Sequence, residues 1–364
     1  MSIRTVGILG GGQLARMLAL SGYPLGLEAV ILEPAPDACA APVARHIKAR
    51  YDDIQAMETL CDTSDVITWE FENVPDKSAH FLASRKKVYP PPAALAVSQD
   101  RFSEKTLFTR LGIAVPAFHT VDSREDLVNG LEKTGFPAVL KTRRMGYDGK
   151  GQAVIRNEED IDRSLQLTGT HSCILEDFVP FTREISIIAA RSNSGETVFY
   201  PLSENTHRDG ILRYARCTFN DPRQKEAESM IRRILNELSY TGVLALELFD
   251  TPGGLLANEM APRVHNSGHW TIEGSVTSQF ENHMRAVAGL PLGSTAARGP
   301  VAMLNCIGAM PDREQVLAIE GAHYHDYGKK PRVGRKVGHI TVCAAHDAEL
   351  AERLEAIRRL LPDS

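Results

Sequence analysis

The first 99 residues alternate short β-rich runs with segments of helical periodicity. Strands are predicted at TVGIL, EAVILE and DVITWEF. Helices are predicted to start near Gln13, Ile54 and Pro75. Strands that alternate with helices are typical of a parallel, doubly wound sheet. The proline run YPPPAAL then interrupts the pattern and predicts a domain boundary near residue 99.

From residue 100 the pattern changes, because several strands follow one another closely. The predicted strands are VPAFHTV, PAVLKTR, AVI, CILEDFV, EISIIAAR, TVFYPLSE, GVLALELFD and GLLANEM. The predicted helices are 101–111, 124–133, 222–238 and 277–288. From about residue 297, VAMLNCIG, KVGHITVCA and a last helix near 347–361 predict a small α/β tail. The chain is therefore expected to be an α/β protein of two or three domains.

Composition narrows the class of protein. The 364 residues are 43% hydrophobic and 24% charged, as in ordinary globular proteins. A net charge of -5 without a basic tract argues against nucleic acid as a partner. Polar residues interrupt every apolar run too early for a membrane span, and Arg16 interrupts the run that a secretory signal would need. Six widely spaced cysteines favour reduced thiols, so we expect a soluble cytoplasmic protein.

A glycine turn follows the first predicted strand. In VGILGGGQLARML, Gly10, Gly12 and Ala15 fit the dinucleotide pattern G-x-G-x-x-G/A. Glu33 ends the next strand at about the spacing of the acid that binds ribose in such proteins. From these residues alone, the turn predicts either an NAD site or a site for another ligand.

Two strand glutamates, Glu247 and Glu259, flank a turn with the sequence TPGG. A three-residue loop would place them opposite each other on one face, whereas a two-residue loop would place them on opposite faces. Adjacent carboxylates repel unless a cation lies between them, and Mg²⁺ prefers such oxygen ligands. The alternative is a solvated pair of strand glutamates.

A second glycine-rich stretch, Met145–Gln152, follows the strand that ends near Lys141. Closely spaced glycines let backbone N–H groups approach a polyphosphate, and Lys141 would add a positive charge. The Walker A pattern is absent. Taken alone, the stretch is equally typical of a flexible hairpin tip.

A third motif, NEMAPRVHNSGHW, places Arg263, His265, Asn266 and His269 close together. The planar guanidinium of Arg263 suits a carboxylate or bicarbonate, which His265 and Asn266 could orient. The alternative is a polar loop that caps the next helix.

Together these motifs resemble the N5-carboxyaminoimidazole ribonucleotide synthetases of the ATP-grasp superfamily. The resemblance runs nearly end to end through GILGGGQLARML, WEFENV, QDR, KTRRMGYDGKGQ, SENTHRDGIL, NEMAPRVHNSGHW and GRKVGHI. It implies a Rossmann-like domain at 1–99, an ATP-grasp domain at 100–296 with a lid at about 116–176, and a small C-terminal domain at 297–364. It also implies that the first glycine turn faces a ribonucleotide and binds no NAD, which leaves Glu33 as an ordinary strand-end residue.

The resemblance implies an ATP site made of single residues, a glycine loop and an adenine-binding linker strand. ATP is expected to contact Arg101, Lys141, Gly146, Tyr147, Asp148, Gly149, Lys150, Gly151, Gln152, Glu176, Asp177, Phe178, Val179, Glu184, His207, Asn258 and Glu259. Glu184 would accept hydrogen bonds from the ribose hydroxyls. Glu247 and Glu259 would hold two Mg²⁺ ions.

The same resemblance implies a substrate site and a catalytic set. Aminoimidazole ribonucleotide is expected to contact Gln13, Leu14, Glu72, Tyr147, Asp148, Asn266, Lys329, Arg335 and Lys336. Bicarbonate and the carboxyphosphate made from it would bind the catalytic residues Arg263, His265 and Asn266, with Lys150 between the nucleotide and the substrate. A homodimer is also expected, with no biotin.

Three positions depart from the family pattern. Val264 replaces a usual proline, which predicts a less rigid turn. The run YGKKPRVGRK is one residue shorter than the usual family pattern. Either Lys329 or Lys330 could therefore be the lysine that binds the substrate phosphate. Ala261 stands where many ATP-grasp enzymes have a metal-binding asparagine.

Two rival functions differ from this expectation. One is another ATP-grasp ligase, such as formate-dependent glycinamide ribonucleotide transformylase or biotin carboxylase. The other is a nucleotide-binding regulator without activity. The combination of Lys141, Glu247, Glu259 and Arg263 argues against the regulator.

Overall fold

The computed structural model describes residues 3–146, 149–169 and 172–362, so the predicted site residues Tyr147 and Asp148 lie outside the described part. The N-terminal unit is a four-stranded parallel sheet with the order β3-β2-β1-β4. Its strands are β1 Thr5–Leu9, β2 Glu28–Leu32, β3 Arg45–Ile47 and β4 Val66–Trp69. The prediction of a parallel sheet is confirmed, and the short edge strand β3 was not predicted.

Helices connect these strands. They are α1 Gln13–Gly22, α2 Ile54–Thr63, α3 Asp76–Ala83 and α4 Pro92–Ser98. α2 begins after Asp53, whose carboxylate accepts a hydrogen bond from the Ala56 N–H. The proline run was predicted only as a boundary, yet it starts α4, because proline is compatible with the first turn of a helix.

A separate antiparallel sheet carries the glycine-rich stretch and has the order β5-β8-β6-β7. Its strands are β5 Phe118–Val121, β6 Ala138–Thr142, β7 Gln152–Ile155 and β8 Cys173–Asp177, with the helices α6 Arg124–Thr134 and α7 Asp160–Thr168. The glycine-rich stretch connects β6 and β7, which are paired from Ala138 to Lys141.

The largest sheet has the order β14-β13-β9-β11-β12-β15-β17-β16, with β10 paired to β9. Its strands are β9 Arg183–Arg191, β10 Thr197–Phe199, β11 Ser203–Arg208, β12 Ile211–Cys217, β13 Gly242–Thr251, β14 Gly254–Ala261, β15 Val301–Ile307, β16 Ala322–Asp326 and β17 Lys336–Cys343. The remaining helices are α5 Arg101–Arg110, α8 Gln224–Glu237, α9 Thr271–Gly274, α10 Gln279–Val287, α11 Arg313–Leu317 and α12 Asp347–Leu360. The C-terminal strands continue this sheet, because β15 pairs with β12.

The N-terminal unit and the central sheet share a hydrophobic core. Buried side chains of β1 and α1, such as Ile8 and Leu18, belong to the same cluster as Ile188 of β9 and Met284 of α10. This shared core brings the first glycine turn to the central sheet. No helix within the described residues is both long and apolar enough to span a bilayer.

Candidate active site

Glu247 and Glu259 lie directly opposite each other on β13 and β14. Thr251 pairs with Gly254, so the turn has only two residues, which by itself would place the glutamates on opposite faces. A register shift between Glu247 and Leu248 adds Asn258 as an extra residue and restores the pairing. The sequence left both loop lengths open and did not predict the bulge that decides the outcome.

Side chains of helix α5 form hydrogen bonds with backbone groups on both sides of the bulge. The Lys105 ammonium donates a hydrogen bond to the Ala257 carbonyl at 3.1 Å, and the Glu104 carboxylate accepts one from the Met260 N–H at 2.8 Å. Both side chains are buried. Sequence reasoning missed this pair, although residues 101, 104, 105 and 108 have the spacing of one helix face.

A buried ionic network joins the predicted ATP residues. The Lys141 ammonium donates to Glu176 at 2.8 Å and to the Asn258 side-chain oxygen at 3.4 Å. Lys105 lies 3.5 Å from Glu176. Burial alone would raise the pKa of Glu176, but the two ammonium groups outweigh it and hold that pKa at about 2.

The two predicted metal ligands each have a basic partner. Arg101 donates to Glu259 at 2.5 Å, and the His265 ring lies 3.1 Å from Glu247. Burial would raise the pKa of Glu247, but the hydrogen bond to His265 and the interactions with His265, His207 and Lys336 hold it at about 2. Among the described residues, no group of three or more His, Cys, Asp and Glu side chains could hold a metal ion. A cation here would depend on the two glutamates and on oxygen ligands from a substrate.

Glu184 and His207 form a pair on the neighbouring strands β9 and β11, with 2.6 Å between the carboxylate and the ring. Burial lowers the pKa of His207, but Glu184 and Glu247 raise it more, so the net shift is upward. The ionised carboxylate of Glu184 has further acceptor positions for a ligand.

The glycine-rich stretch approaches the β11–β12 turn closely. Gly149 and Gly151 have φ of +74° and +72°, which favours glycine. A Cβ on Gly149 would lie 2.9 Å from the Gly210 Cα atom. Gln152 pairs with Lys141, and β8 ends at Asp177, just before the exposed Phe178 and the half-buried Val179. The stretch therefore borders the predicted nucleotide residues.

The third motif leads from β14 to α10 and joins two other parts of the chain. The Arg263 guanidinium donates to Glu72 of the N-terminal unit at 2.5 Å. Asn266 and Asn305 exchange side-chain hydrogen bonds at 3.1 and 2.7 Å. Val264 is completely buried. His269 is also buried, and burial lowers its pKa well below the ordinary value.

The first glycine turn holds carboxylates of its own chain. Glu70 accepts hydrogen bonds from the Gly12 and Ala15 N–H groups. Glu33 accepts from the Gly11 N–H at 3.0 Å, the Ala35 N–H at 2.9 Å and the Tyr51 hydroxyl at 2.6 Å. The prediction that Glu33 is an ordinary strand-end residue was wrong, because its side chain turns back to brace the glycine turn.

Gln13, next to Leu14 at the start of α1, contacts the C-terminal basic loop. Its side-chain oxygen accepts a hydrogen bond from the Lys329 ammonium at 2.6 Å. Lys330 is exposed. Arg335 donates to the Lys330 carbonyl at 3.2 Å, and Lys336 starts β17. The hydrogen bond to Gln13 thus connects Lys329 of the basic loop with the start of α1, directly after the glycine turn.

Comparisons with known proteins show which family the chain belongs to. A curated relative from Pseudomonas aeruginosa, an N5-carboxyaminoimidazole ribonucleotide synthase, is 52% identical over 98% of this chain and 99% of its own length. The chain belongs to the N5-carboxyaminoimidazole ribonucleotide synthase family. The members of this family are ATP-grasp ligases, so the sequence resemblance is confirmed.

Family models and solved structures support the same assignment. The models are a ribonucleotide synthetase preATP-grasp domain at 3–99, an ATP-grasp domain at 106–280 and a phosphoribosylaminoimidazole carboxylase C-terminal domain at 301–353. The N5-carboxyaminoimidazole ribonucleotide synthetase structure from Thermus thermophilus has a TM-score of 0.94 and 52% identity, and covers 99% of both chains. The Aspergillus clavatus synthase, solved with ADP and 5-aminoimidazole ribonucleotide, has a TM-score of 0.89 and 30% identity over 98% of this chain and 99% of its own.

Proposed function

We propose that this enzyme uses ATP and bicarbonate to carboxylate 5-aminoimidazole ribonucleotide in purine biosynthesis. The product is N5-carboxyaminoimidazole ribonucleotide, released with ADP and phosphate. The observation that carries the proposal is the Glu72–Arg263 contact, because it joins the N-terminal glycine domain to the loop that follows the paired glutamates. Residues proposed for the ribonucleotide therefore meet those proposed for bicarbonate.

ATP would bind between the lid sheet and the central sheet. Lys141, Arg101 and the glycine loop from Gly146 to Gln152 would contact the phosphates. The linker Glu176–Val179 would present backbone groups to the adenine, and Glu184 with His207 would contact the ribose. The buried network around Lys141 supports this site, because it fixes these charges before ATP arrives.

The donor set at Glu247 and Glu259 fits Mg²⁺. Two carboxylates lie side by side, and Mg²⁺ commonly binds one or two carboxylates together with phosphate oxygens and water. Bound there, Mg²⁺ would neutralise phosphate charge during phosphoryl transfer. Before metal binding, His265 and Arg101 balance the two carboxylates.

Bicarbonate is a poor electrophile, so it must be activated before the amine can attack. Arg263, His265 and Asn266 would hold it in line with the γ-phosphoryl group of ATP. Phosphoryl transfer then gives ADP and carboxyphosphate, which delivers CO₂ to the exocyclic amine and leaves phosphate. Because carboxyphosphate hydrolyses readily, the lid must exclude water first. Tyr147, Asp148 and Lys150 would lie between the nucleotide and the substrate.

The 5′-phosphate of the ribonucleotide would bind Lys329, Arg335 and Lys336. The contact between Lys329 and Gln13 supports Lys329 over Lys330, because it brings the ammonium to a second residue proposed for the same substrate. Binding the remote phosphate would orient the amine for attack.

The assay that tests the proposal measures ADP release with three alternative acceptors. We expect bicarbonate-dependent ADP release with aminoimidazole ribonucleotide. The rival ligases would instead respond to glycinamide ribonucleotide or biotin, and a regulator would respond to none of the three.

We propose that the enzyme works in the cytoplasm as a homodimer. The six cysteines, all within the described part of the chain, form no disulfide bonds, which is typical of the reducing cytoplasm. The homodimer expected from the resemblance would be checked by sedimentation velocity.

A further inference from the structure

A buried carboxylate fills the first glycine turn. Glu70 follows β4 and is only 7% exposed. Each of its two oxygens accepts from a different backbone N–H, one from Gly12 and one from Ala15 at 2.8 Å. In dinucleotide-binding proteins, the pyrophosphate lies against the N-terminus of the helix that follows this turn. Here the side chain of Glu70 lies there.

The glycines of the turn make room for this side chain. A Cβ on Gly12 would lie 2.7 Å from the nearer Glu70 oxygen and 3.0 Å from the other, and a Cβ on Gly10 would meet the Glu70 Cγ atom. Gly12 has a φ of -78°, which any residue adopts. The carboxylate of Glu70 therefore explains why residue 12 is glycine.

The filled turn lies next to the proposed substrate-phosphate site. Gln13 follows Gly12 directly, and its side chain binds Lys329. Glu33 holds the Gly11 N–H from the other side of the turn. Carboxylates from the ends of β2 and β4, the two strands on either side of β1, thus fix the backbone on which Gln13 is placed.

We propose that Glu70 replaces a ligand phosphate in the glycine turn and positions Gln13, and through it Lys329, for the 5′-phosphate of the substrate. Glu70 acts through Gln13 and is a positioning residue. The role of Glu70 in binding the substrate phosphate rests on the proposed function. Its replacement of a ligand phosphate rests on the structure of the glycine turn alone.

The first experiment compares Glu70→Gln with Asp65→Asn. Glutamine preserves the shape of Glu70 but has one acceptor oxygen instead of two. Asp65 is the control at the other end of β1: it is exposed, and one of its oxygens accepts from both the Arg4 and Thr5 N–H groups at 2.8 and 2.9 Å. We expect Glu70→Gln to raise the KM for aminoimidazole ribonucleotide about tenfold, as for one lost charge-assisted hydrogen bond, with kcat and the KM for ATP nearly unchanged. Asp65→Asn should alter none of these constants, and equal changes in both variants would overturn the positioning role.

The second experiment needs no turnover. Urea unfolding is measured for Gly12→Ala, Glu70→Ala and the double variant. We expect Gly12→Ala to destabilise the protein when Glu70 is present and to have almost no effect when it is absent. Additive effects would overturn the claim that Gly12 accommodates Glu70. Loss of the proposed function would appear separately, as absent turnover in the unmodified enzyme.

Discussion

At the scale of residues, the candidate site balances its own charges. Glu247, Glu259, Glu72 and Glu176 each contact a basic side chain. A charged ligand bound at these residues would exchange one ion pair for another, so the charged groups would stay paired before and after binding. This pairing limits the free-energy cost of removing the charged groups from water in a partly buried site.

Glu259→Gln should abolish Mg²⁺-dependent turnover without unfolding the protein. The change removes the charge of a proposed metal ligand and keeps its shape, so we expect kcat to fall by at least about a hundredfold, as for loss of a major electrostatic contact. ADP release at saturating Mg²⁺ measures the effect. Glu237→Gln, in an exposed pair with Arg110, is the control. Near-normal turnover of Glu259→Gln would contradict the assignment.

Lys329→Met and Lys330→Met separate the two lysines of the basic loop. Lys329 donates a hydrogen bond to Gln13, and no hydrogen bond among the described residues joins Lys330 to Gln13. We therefore expect Lys329→Met, and not Lys330→Met, to raise the KM for aminoimidazole ribonucleotide by about tenfold. Steady-state kinetics with varied ribonucleotide and with varied ATP would measure both constants. A larger effect of Lys330→Met would assign the substrate phosphate to Lys330.

At the scale of elements, the hairpin of β13 and β14 depends on α5. The bulge at Asn258 brings the glutamates together, and Glu104 with Lys105 satisfies the backbone beside it. The sequence predicted the two strands and their glutamates from local patterns. It could not predict the bulge, because its backbone partners come from a helix about 150 residues earlier in the chain.

Lys105→Met should destabilise the protein and weaken ATP binding. It leaves the Ala257 carbonyl without its ammonium donor, and Glu176 without one of its two cations. Removing one member of a buried ion pair costs about 3 to 5 kcal/mol of unfolding free energy. Urea unfolding and the KM for ATP would measure both effects. Arg110→Ala, in an exposed pair on the same helix, should cost less than about 1 kcal/mol.

ATP should protect the glycine-rich stretch from hydrogen exchange. Its backbone N–H groups gain phosphate partners when the nucleotide binds, so we expect slower exchange at 149–152 with ATP present. Gly149→Ala should remove much of this protection, because a Cβ there would meet Gly210. Equal exchange with and without ATP would contradict a phosphate-binding role.

At the scale of the whole molecule, His283 of α10 links two sheets. Its Nδ1 accepts from the Val243 N–H of β13 at 3.1 Å, so its Nε2 donates to the Thr68 hydroxyl of β4 at 2.8 Å. The ring is completely buried, and burial lowers its pKa to about 4. The sequence indicated that both units exist, but long-range contacts such as this one could not be predicted from local periodicity.

Acid should weaken this link. The unfolded chain binds a proton at His283 near pH 6.5, whereas the folded chain binds it only near pH 4. The contribution of His283 is therefore present above pH 6.5 and is lost as the pH falls toward 4, by up to about 3 kcal/mol. Urea unfolding between pH 7 and 4.5 should show a shallower pH dependence for His283→Asn than for the unmodified chain. Identical slopes would contradict the prediction.

The pairing of β12 with β15 ties the C-terminal segment to the rest of the chain. Although a separate family model matches 301–353, the strands of that segment complete the sheet of the ATP-grasp region. A chain truncated before β15 would expose β12 as an unpaired edge, along with Leu212, Ala215, Cys217 and Trp270, which share an apolar cluster with Val301 and Met303. Exposed edges of this kind promote aggregation. A crossover between relatives near residue 297 would therefore need a β15 that still pairs with β12 and packs against this cluster.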